Sequence, residues 1–359
     1  MSLSAKVDFA FLRSLLGVDE SESVRAVMRA AGKAGSHLSH MVISVAARDG
    51  LKIGTGSADE LRREREQAAR YRGLAADIGA ATPIRILKGQ SIAGFYPPDV
   101  VRPSADLDLL LADEASLWRA AGVVGDQVDV ELIDVSLLRF DGVTHVLAGL
   151  SWPSDDPLLD RDNRVELTTI ALVGDYVRVP PSVVLPADAT LAALVCLAEE
   201  RFQHEFTVKD VVDVVMLFDS GPPDPDRLAD TAVEYFRAPE LLELLARTAE
   251  HISSPLLEEC VERLRAPAEE ERRRRTGGSP VESVPPTVQG RLAAGLPVYG
   301  FLLRRARRDW SVSSLHRGEG LDLLRTPVAD FLLVAGELVT EDDYHAALRE
   351  LDGLEVGSP

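Results

Sequence analysis

The sequence contains few of the features that mark secreted or membrane-spanning proteins. Only two cysteines occur among 359 residues, Cys196 and Cys260, and both lie in Leu- and Val-rich helical sequence, where a free thiol is usually a small core residue. This pattern argues against a disulfide scaffold and against a thiolate zinc site. No segment reaches the roughly 18 to 20 uncharged apolar residues that a membrane-spanning helix requires. The sequence therefore predicts no membrane partner.

Positive charge is also scarce. Lys and Arg number 39 against 58 Asp and Glu, a formal net charge of −19, and an acidic surface repels the phosphate backbone of nucleic acids. Aromatics for base stacking are sparse around the arginine runs at 272–275 and 304–308, and the first run follows three glutamates. Solvated, self-neutralising charge explains both runs better than an RNA-binding face. Nucleic acid is therefore not expected as a partner.

The N-terminal stretch is apolar but short. Arg13 interrupts it, and no convincing small-residue cleavage site follows. These features indicate an amphipathic helix rather than a signal peptide. We therefore expect a cytoplasmic protein.

Hydrophobic periodicity divides the chain into five segments. Residues 1–79 are predicted to be helical, the clearest helix beginning at Ser57 with capping-box spacing to Glu60 and stopping at Gly79. Residues 80–180 contain the alternating, β-branched runs of a sheet, and residues 181–264 return to helical spacing. Opposed charge blocks with Gly, Ser and Pro predict a flexible linker at 265–286, followed by a C-terminal helical subdomain at 287–359. The order predicts an α+β fold with a large C-terminal helical half.

The most informative chemistry lies in the alternating run ADLDLLLAD. Side chains two residues apart in a strand share a face, so Asp106 and Asp108 point together while Leu107, Leu109 and Leu111 point into the core. Two carboxylates held this close repel each other unless a divalent cation neutralises them, and hard oxygen ligands suit magnesium or manganese. The pair is therefore a predicted metal site.

A phosphate-binding turn is predicted upstream of this pair. The short strand PIRIL breaks at Gly89, where the absence of a side chain allows close backbone approach and a helix start presents free N–H groups. Lys88 adds a positive charge beside the turn. Arg102 has two possible roles, since it can contact a second phosphate oxygen or pair with one of the aspartates.

These residues together resemble a known family. An apolar strand ending in LKG, a YP turn, an Arg and then DLDLLL is similar to the uncharacterised nucleotidyltransferase family sometimes called nucleotidyltransferase family five, within the DNA polymerase β superfamily. The similarity is good over residues 84–112, looser over about 57–220, and absent beyond. It implies a nucleotidyltransferase-like mixed sheet with flanking helices and two strand-borne aspartates on a metal. The usual Gly-Ser phosphate turn is replaced by Gly-Gln-Ser, which makes Ser91 a weak phosphate contact.

The resemblance also implies a third carboxylate on a neighbouring strand. By position this residue is Glu166 in NRVELTTIAL, and the family often has a His two residues later, where this chain has Thr168. Asp129 and Glu131 in VDVELID are the alternatives for the third carboxylate. If Glu166 holds this position, its side chain shares the face of the aspartate pair and its carboxylate lies within about 8 Å of theirs.

The resemblance predicts an enzyme. The expected reaction is metal-dependent transfer of a nucleoside monophosphate from a nucleoside triphosphate, with ATP favoured, to a small-molecule or peptide acceptor, with release of pyrophosphate. Asp106 and Asp108 would bind Mg²⁺ or Mn²⁺, Glu166 would complete the catalytic set, and Lys88, Gly89, Ser91 and Arg102 would contact the nucleotide. The alternative is a catalytically inactive nucleotide- or protein-binding module with the same fold.

Overall fold

The computed structural model describes residues 7–277, 284–318, 320–336 and 338–356. Within these residues the chain forms thirteen helices and nine strands. The helices are α1 (Phe9–Leu15), α2 (Val24–Ala34), α3 (Ser36–Arg48), α4 (Thr55–Ala81), α5 (Lys88–Ala93), α6 (Glu114–Gln127), α7 (Ala189–Glu200), α8 (Val208–Ser220), α9 (Pro225–Glu234), α10 (Ala238–Ala249), α11 (Pro255–Thr276), α12 (Val288–Ala293) and α13 (Glu341–Val356). The strands are β1 (Ile84–Ile86), β2 (Leu107–Leu111), β3 (Leu132–Phe140), β4 (Val143–Trp152), β5 (Asn163–Thr168), β6 (Val298–Arg305), β7 (Ser314–Arg317), β8 (Asp322–Arg325) and β9 (Ala329–Val334).

All nine strands belong to one mixed sheet, in the order β1-β2-β5-β4-β3-β6-β9-β8-β7. Neighbouring strands are antiparallel except β2 and β5, which run parallel. The predicted α+β class is confirmed at this level. The parallel pair is important for the site, because it joins the strand after Asp106 to the strand that carries Glu166.

The contacts divide the chain into two compact units. The first comprises the described residues of Met1–Gly73, Leu87–Ala105 and Leu172–Gly278, and the second those of Leu74–Ile86, Asp106–Ala171 and Ser279–Pro359. The predicted segments 1–79 and 181–264 thus contribute to one helical unit. The predicted core at 80–180 is divided, because Ile92, Tyr96 and Val100 bury their side chains in the helical unit.

The helical unit is built around one apolar core. Apolar side chains from α1, α3, α7, α8 and α10 supply most of it, and α7 and α8 are buried along nearly their whole length. Helices buried on all sides carry continuous apolar runs, such as LAALVCLA and VVDVVMLF, rather than one apolar stripe. Cys196 and Cys260 are both buried here, as expected for core residues.

The second unit contains the sheet. Helix α6 contacts β2, β4 and β5, where Leu107, Leu109, Val165 and Leu167 are fully buried. At the far end, α13 packs on β6, β8 and β9 through an apolar cluster that includes Leu351. Because α6 covers the leucine side of β2, the alternate residues of β2 and β5 belong to the opposite face.

Two predictions about the C-terminal part are wrong. Residues 287–359 are not a helical subdomain, because β6–β9 extend the sheet, with β6 pairing with β3. None of these strands shows the strict alternation of apolar and polar residues that marks the start of β2, so periodicity does not identify them as strands. The linker predicted at 265–286 is helical to Thr276, because its charge blocks form i,i+3 and i,i+4 pairs such as Glu271 with Arg275. Residues 278–283 lie outside the described residues.

The arginine run at 272–275 is also accounted for. Arg275 is half-buried and pairs with Glu240 at 2.6 Å as well as with Glu271, and Arg273 pairs with Glu270. Arg273 and Arg275 are thus neutralised by neighbouring glutamates. In the described part of the chain, no helix is long and apolar enough to cross a membrane.

Candidate metal centre

Strand pairing brings the third carboxylate to the aspartate pair. In the parallel register of β2 and β5, Asp108 lies opposite Glu166, with Leu107 opposite Val165 and Leu109 opposite Leu167. The apolar partners are fully buried against α6, so period-two alternation places Asp108 and Glu166 together on the other face. Asp106 precedes the strand by one residue and shares that face. The predicted alternation of this segment is therefore confirmed.

The three carboxylates form one compact cluster. Asp106, Asp108 and Glu166 each offer an oxygen, and these oxygens all lie within 4.8 Å of one another. The expected proximity of Glu166 to the pair is confirmed. Asp108 is buried, whereas Asp106 and Glu166 are partly exposed, so solvent reaches part of the cluster. Carboxylate oxygens at this spacing fit the ligand preference of Mg²⁺ or Mn²⁺.

Asp129 and Glu131 do not take part in this cluster. Both precede β3, which is separated from β5 by β4, and both are exposed to solvent. Asp129 instead pairs with Arg305 at 3.3 Å. The choice between the alternatives is thus decided in favour of Glu166 as the neighbouring carboxylate, because the pairing of β2 with β5 excludes β3 from the adjacent position.

An arginine that the sequence reading did not single out binds the third carboxylate. Arg164 Nε donates to Glu166 Oε1 at 2.9 Å, and Arg164 Nη2 donates to Asp134 Oδ1 at 2.6 Å and Oδ2 at 2.8 Å. Partial burial alone would lower the pKa of the Arg164 guanidinium, but its hydrogen bonds to Asp134 and Glu166 raise it. The guanidinium stays charged. The signal was available, since Arg164 stands two residues before Glu166 and hence on its face.

Thr168 occupies the position at which the nucleotidyltransferase family that the sequence resembles often has a His. Its hydroxyl donates to the carbonyl of Ile170 at 2.8 Å and accepts from the Ile170 N–H at 3.0 Å. Thr168 is buried. In this chain the residue therefore shapes the end of β5, and its hydroxyl is engaged with the backbone.

The residues predicted to contact phosphate belong to the helical unit. Gly89 has φ of 34° and ψ of −95°, a backbone conformation that favours glycine, so the predicted turn is present. Lys88 Nζ lies 2.5 Å from Glu200 Oε1, and Ser91 Oγ donates to the Lys88 carbonyl at 2.8 Å. Burial alone would raise the pKa of the Glu200 carboxyl, but the charge of Lys88 holds it below its usual value.

Arg102 is engaged inside the helical unit, which argues against the predicted phosphate contact. Its Nε and Nη2 donate to the two oxygens of Asp213, both at 2.7 Å, and its Nη1 donates to the Gly89 carbonyl at 3.0 Å. Tyr96 Oη donates to the same Asp213 carboxylate at 2.6 Å. The Arg102 side chain is only 2% exposed. Arg102 therefore anchors the Gly89 turn from within the protein, and its partner is Asp213 rather than either aspartate of the pair.

A separate cavity lies on the other face of the sheet. It has a volume of about 600 Å³ and is lined by Ile133 and Leu150 of the sheet and by Trp118 of α6, among others. Their strand neighbours Asp134 and Gly149 belong to the carboxylate face. A ligand bound to the carboxylates would thus not occupy this cavity.

Comparison of the chain with protein-family models, with curated proteins and with solved structures finds no match in any of the three. The resemblance over residues 84–112 therefore stays a prediction. The structure shows the proximity of the three carboxylates but does not test the resemblance itself.

Proposed function

We propose that this protein is a metal-dependent nucleotidyltransferase. The proposal rests on one observation: Asp106, Asp108 and Glu166, from two adjacent parallel strands, present oxygens within 4.8 Å of one another on one face of the sheet. A cation held by these carboxylates would supply charge stabilisation for a triphosphate and its departing pyrophosphate. The donor set contains only oxygen ligands, which favours Mg²⁺ or Mn²⁺ over zinc.

Each carboxylate has a distinct part in the proposed reaction. Asp106 and Asp108 hold the cation, and the burial of Asp108 fixes its orientation. Glu166 is more exposed, which suits a group that also accepts the proton of the acceptor hydroxyl or amine. The acceptor is a small molecule or a peptide, because the acidic chain disfavours a polynucleotide.

Lys88 and the Gly89 turn remain the proposed phosphate contacts. A lysine that is partly exposed can exchange its carboxylate partner for a phosphate oxygen, and the turn beside it is built at a positive-φ glycine. ATP is the favoured triphosphate.

The pairing of Lys88 with Glu200 favours a second candidate function. Glu200 competes with a phosphate for Lys88, and Thr168 stands where the family often has a His, so a nucleotide-binding module without turnover also fits. Product formation separates the two candidates, since a binding module has affinity for the triphosphate but releases no pyrophosphate.

The test is label transfer. The protein is incubated with each α-³²P-labelled nucleoside triphosphate, Mg²⁺ or Mn²⁺, and a small-molecule and peptide extract of its own organism. We expect a labelled adduct and pyrophosphate with the wild type, and neither product with Asp106→Asn or Asp108→Asn. Equal product from these variants would exclude the carboxylate pair as the reaction centre, and triphosphate binding without any product would favour the binding module.

A further inference from the structure

We infer that Arg164 is a positioning residue that holds Glu166 at the metal centre. Asp134 in turn holds Arg164 through hydrogen bonds, and Gly149 leaves the space that the Arg164 side chain occupies. This inference rests on the proposed function, because it assigns a role at the same carboxylate cluster.

The need for such a residue follows from the charges. Asp106 and Asp108 lie within 4.8 Å of the Glu166 oxygen, and like charges at this spacing repel one another. The Glu166 side chain is 42% exposed, so it has room to turn away from the aspartates into solvent by adopting another rotamer. The bond from Arg164 Nε to Glu166 Oε1 opposes this movement.

Asp134 and Ser151 fix the guanidinium from the far side. Asp134 accepts both bonds from Arg164 Nη2, and Ser151 Oγ accepts from Nη1 at 3.1 Å. Arg164 thus has a donor directed at each of three neighbours. A lysine carries a single ammonium group and cannot reach both carboxylates in the same way, because β3 and β5 lie about 10 Å apart across β4.

Gly149 provides the space that this arrangement needs. In the registers of β4 it lies between Glu166 on β5 and Asp134 on β3. A Cβ built at Gly149 would overlap Arg164 Nη2 and Asp134 Oδ2. The missing side chain therefore lets the guanidinium cross β4 close to the sheet, and any larger residue would displace it.

The experiment measures Mn²⁺ affinity by calorimetry on the full chain without nucleotide. Arg164→Lys keeps the charge but loses the fork, and we expect about 10-fold weaker binding, the usual effect of losing a group that orients a metal ligand. Gly149→Ala keeps every charge, displaces the guanidinium and should give a similar loss. In the Glu166→Gln background, Arg164→Lys should have no further effect, because Arg164 acts through Glu166.

Arg201→Lys is the matched control. Arg201 pairs with Glu243 at 2.8 Å and has 34% side-chain exposure, close to the 32% of Arg164, but it lies in the helical unit. We expect its Mn²⁺ affinity to equal that of the wild type. Circular dichroism checks that each variant is folded. If Gly149→Ala does not fold, Arg164→Lys alone tests the inference.

Two results would overturn the inference. The first is an Mn²⁺ affinity of Arg164→Lys equal to that of the wild type. The second is a loss of Mn²⁺ affinity from Arg164→Lys that adds fully to the loss from Glu166→Gln in the double variant. A crystal structure of Arg164→Lys gives a readout that does not depend on metal: the Glu166 oxygens should leave the cluster, and their staying within 4.8 Å of both aspartates would also refute positioning. If the wild type binds no Mn²⁺ but Glu166 moves in this variant, the proposed function fails and the positioning role stands.

Discussion

Asp213→Asn tests the buried network that anchors the Gly89 turn. The Asp213 side chain has no exposed surface, and its two oxygens receive two bonds from Arg102 and one from Tyr96. The substitution keeps the shape but removes the charge, and it turns an amide NH₂ toward a guanidinium that has no acceptor capacity. Arg102 would then be a buried charge without its counterion.

The expected cost is large. Removing one partner of a buried ion pair typically destabilises a protein by about 3 to 5 kcal/mol, and a whole domain is stable by only roughly 5 to 15 kcal/mol. A domain of roughly 150 to 250 residues loses about 2 to 4 °C of Tm per kcal/mol, so Tm of the helical unit should fall by about 10 °C. Arg102→Met combined with Asp213→Leu should recover part of this loss, because no buried guanidinium is left without its counterion, although Tyr96 Oη and Lys209 lose their partner.

A second measurement is the pH dependence of the difference in unfolding free energy between wild type and Asp213→Asn. Burial alone would raise the pKa of the Asp213 carboxyl, but the charges of Arg102 and Lys209 hold it below the usual value of 3.8. A carboxyl with a lowered folded-state pKa contributes stability that is fully present above the unfolded-state value and is lost as pH falls through the folded-state value. The difference in the free energy of unfolding between wild type and Asp213→Asn should therefore be constant near neutral pH and become smaller below about pH 4.

The assay is urea unfolding followed by circular dichroism at 222 nm from pH 7 to pH 2. Glu243→Gln is the control, since its partly exposed pair with Arg201 should contribute under about 1 kcal/mol. A loss below about 1 kcal/mol for Asp213→Asn at pH 7 would refute the reasoning, as would a difference that stays constant to pH 2.

Three further predictions concern the proposed metal and nucleotide contacts. Mn²⁺ and ATP should stabilise the wild type by about 2.7 kcal/mol when each is present at 100 times its Kd, and thermal-shift titration should show no stabilisation of Asp106→Asn or Asp108→Asn. Equal stabilisation of both variants would contradict the assignment of these aspartates to the metal site. Glu166→Gln should lower turnover at least about 100-fold while changing ATP affinity far less, and a change confined to affinity would reassign the residue. Lys88→Met should weaken ATP binding about 10-fold in calorimetry without changing Mn²⁺ affinity, whereas unchanged ATP affinity would remove Lys88 from the phosphate contacts.

Local pattern in the sequence predicted those features that depend on neighbouring residues alone. The alternation of ADLDLLLAD gave the shared face of Asp106 and Asp108, and the glycine after PIRIL gave the turn at Gly89, which indeed has positive φ. The α+β class followed from the same periodicities. These features are local because side-chain direction in a strand has a fixed period, whatever the strand pairs with.

Tertiary structure decided the partners. Nothing in VDVELID or NRVELT states which strand lies beside β2, so Glu166 could be separated from Asp129 and Glu131 only by the observed sheet order. The pairing of Arg102 with Asp213, and the passage of Arg164 over Gly149 to Asp134, likewise join residues from different elements. Strands β6–β9 were missed because they lack apolar–polar alternation, and the cross-strand pairing that stabilises them is not visible in the local sequence. Contacts between distant segments depend on which surfaces the whole chain can bury together, and a local pattern does not contain that choice.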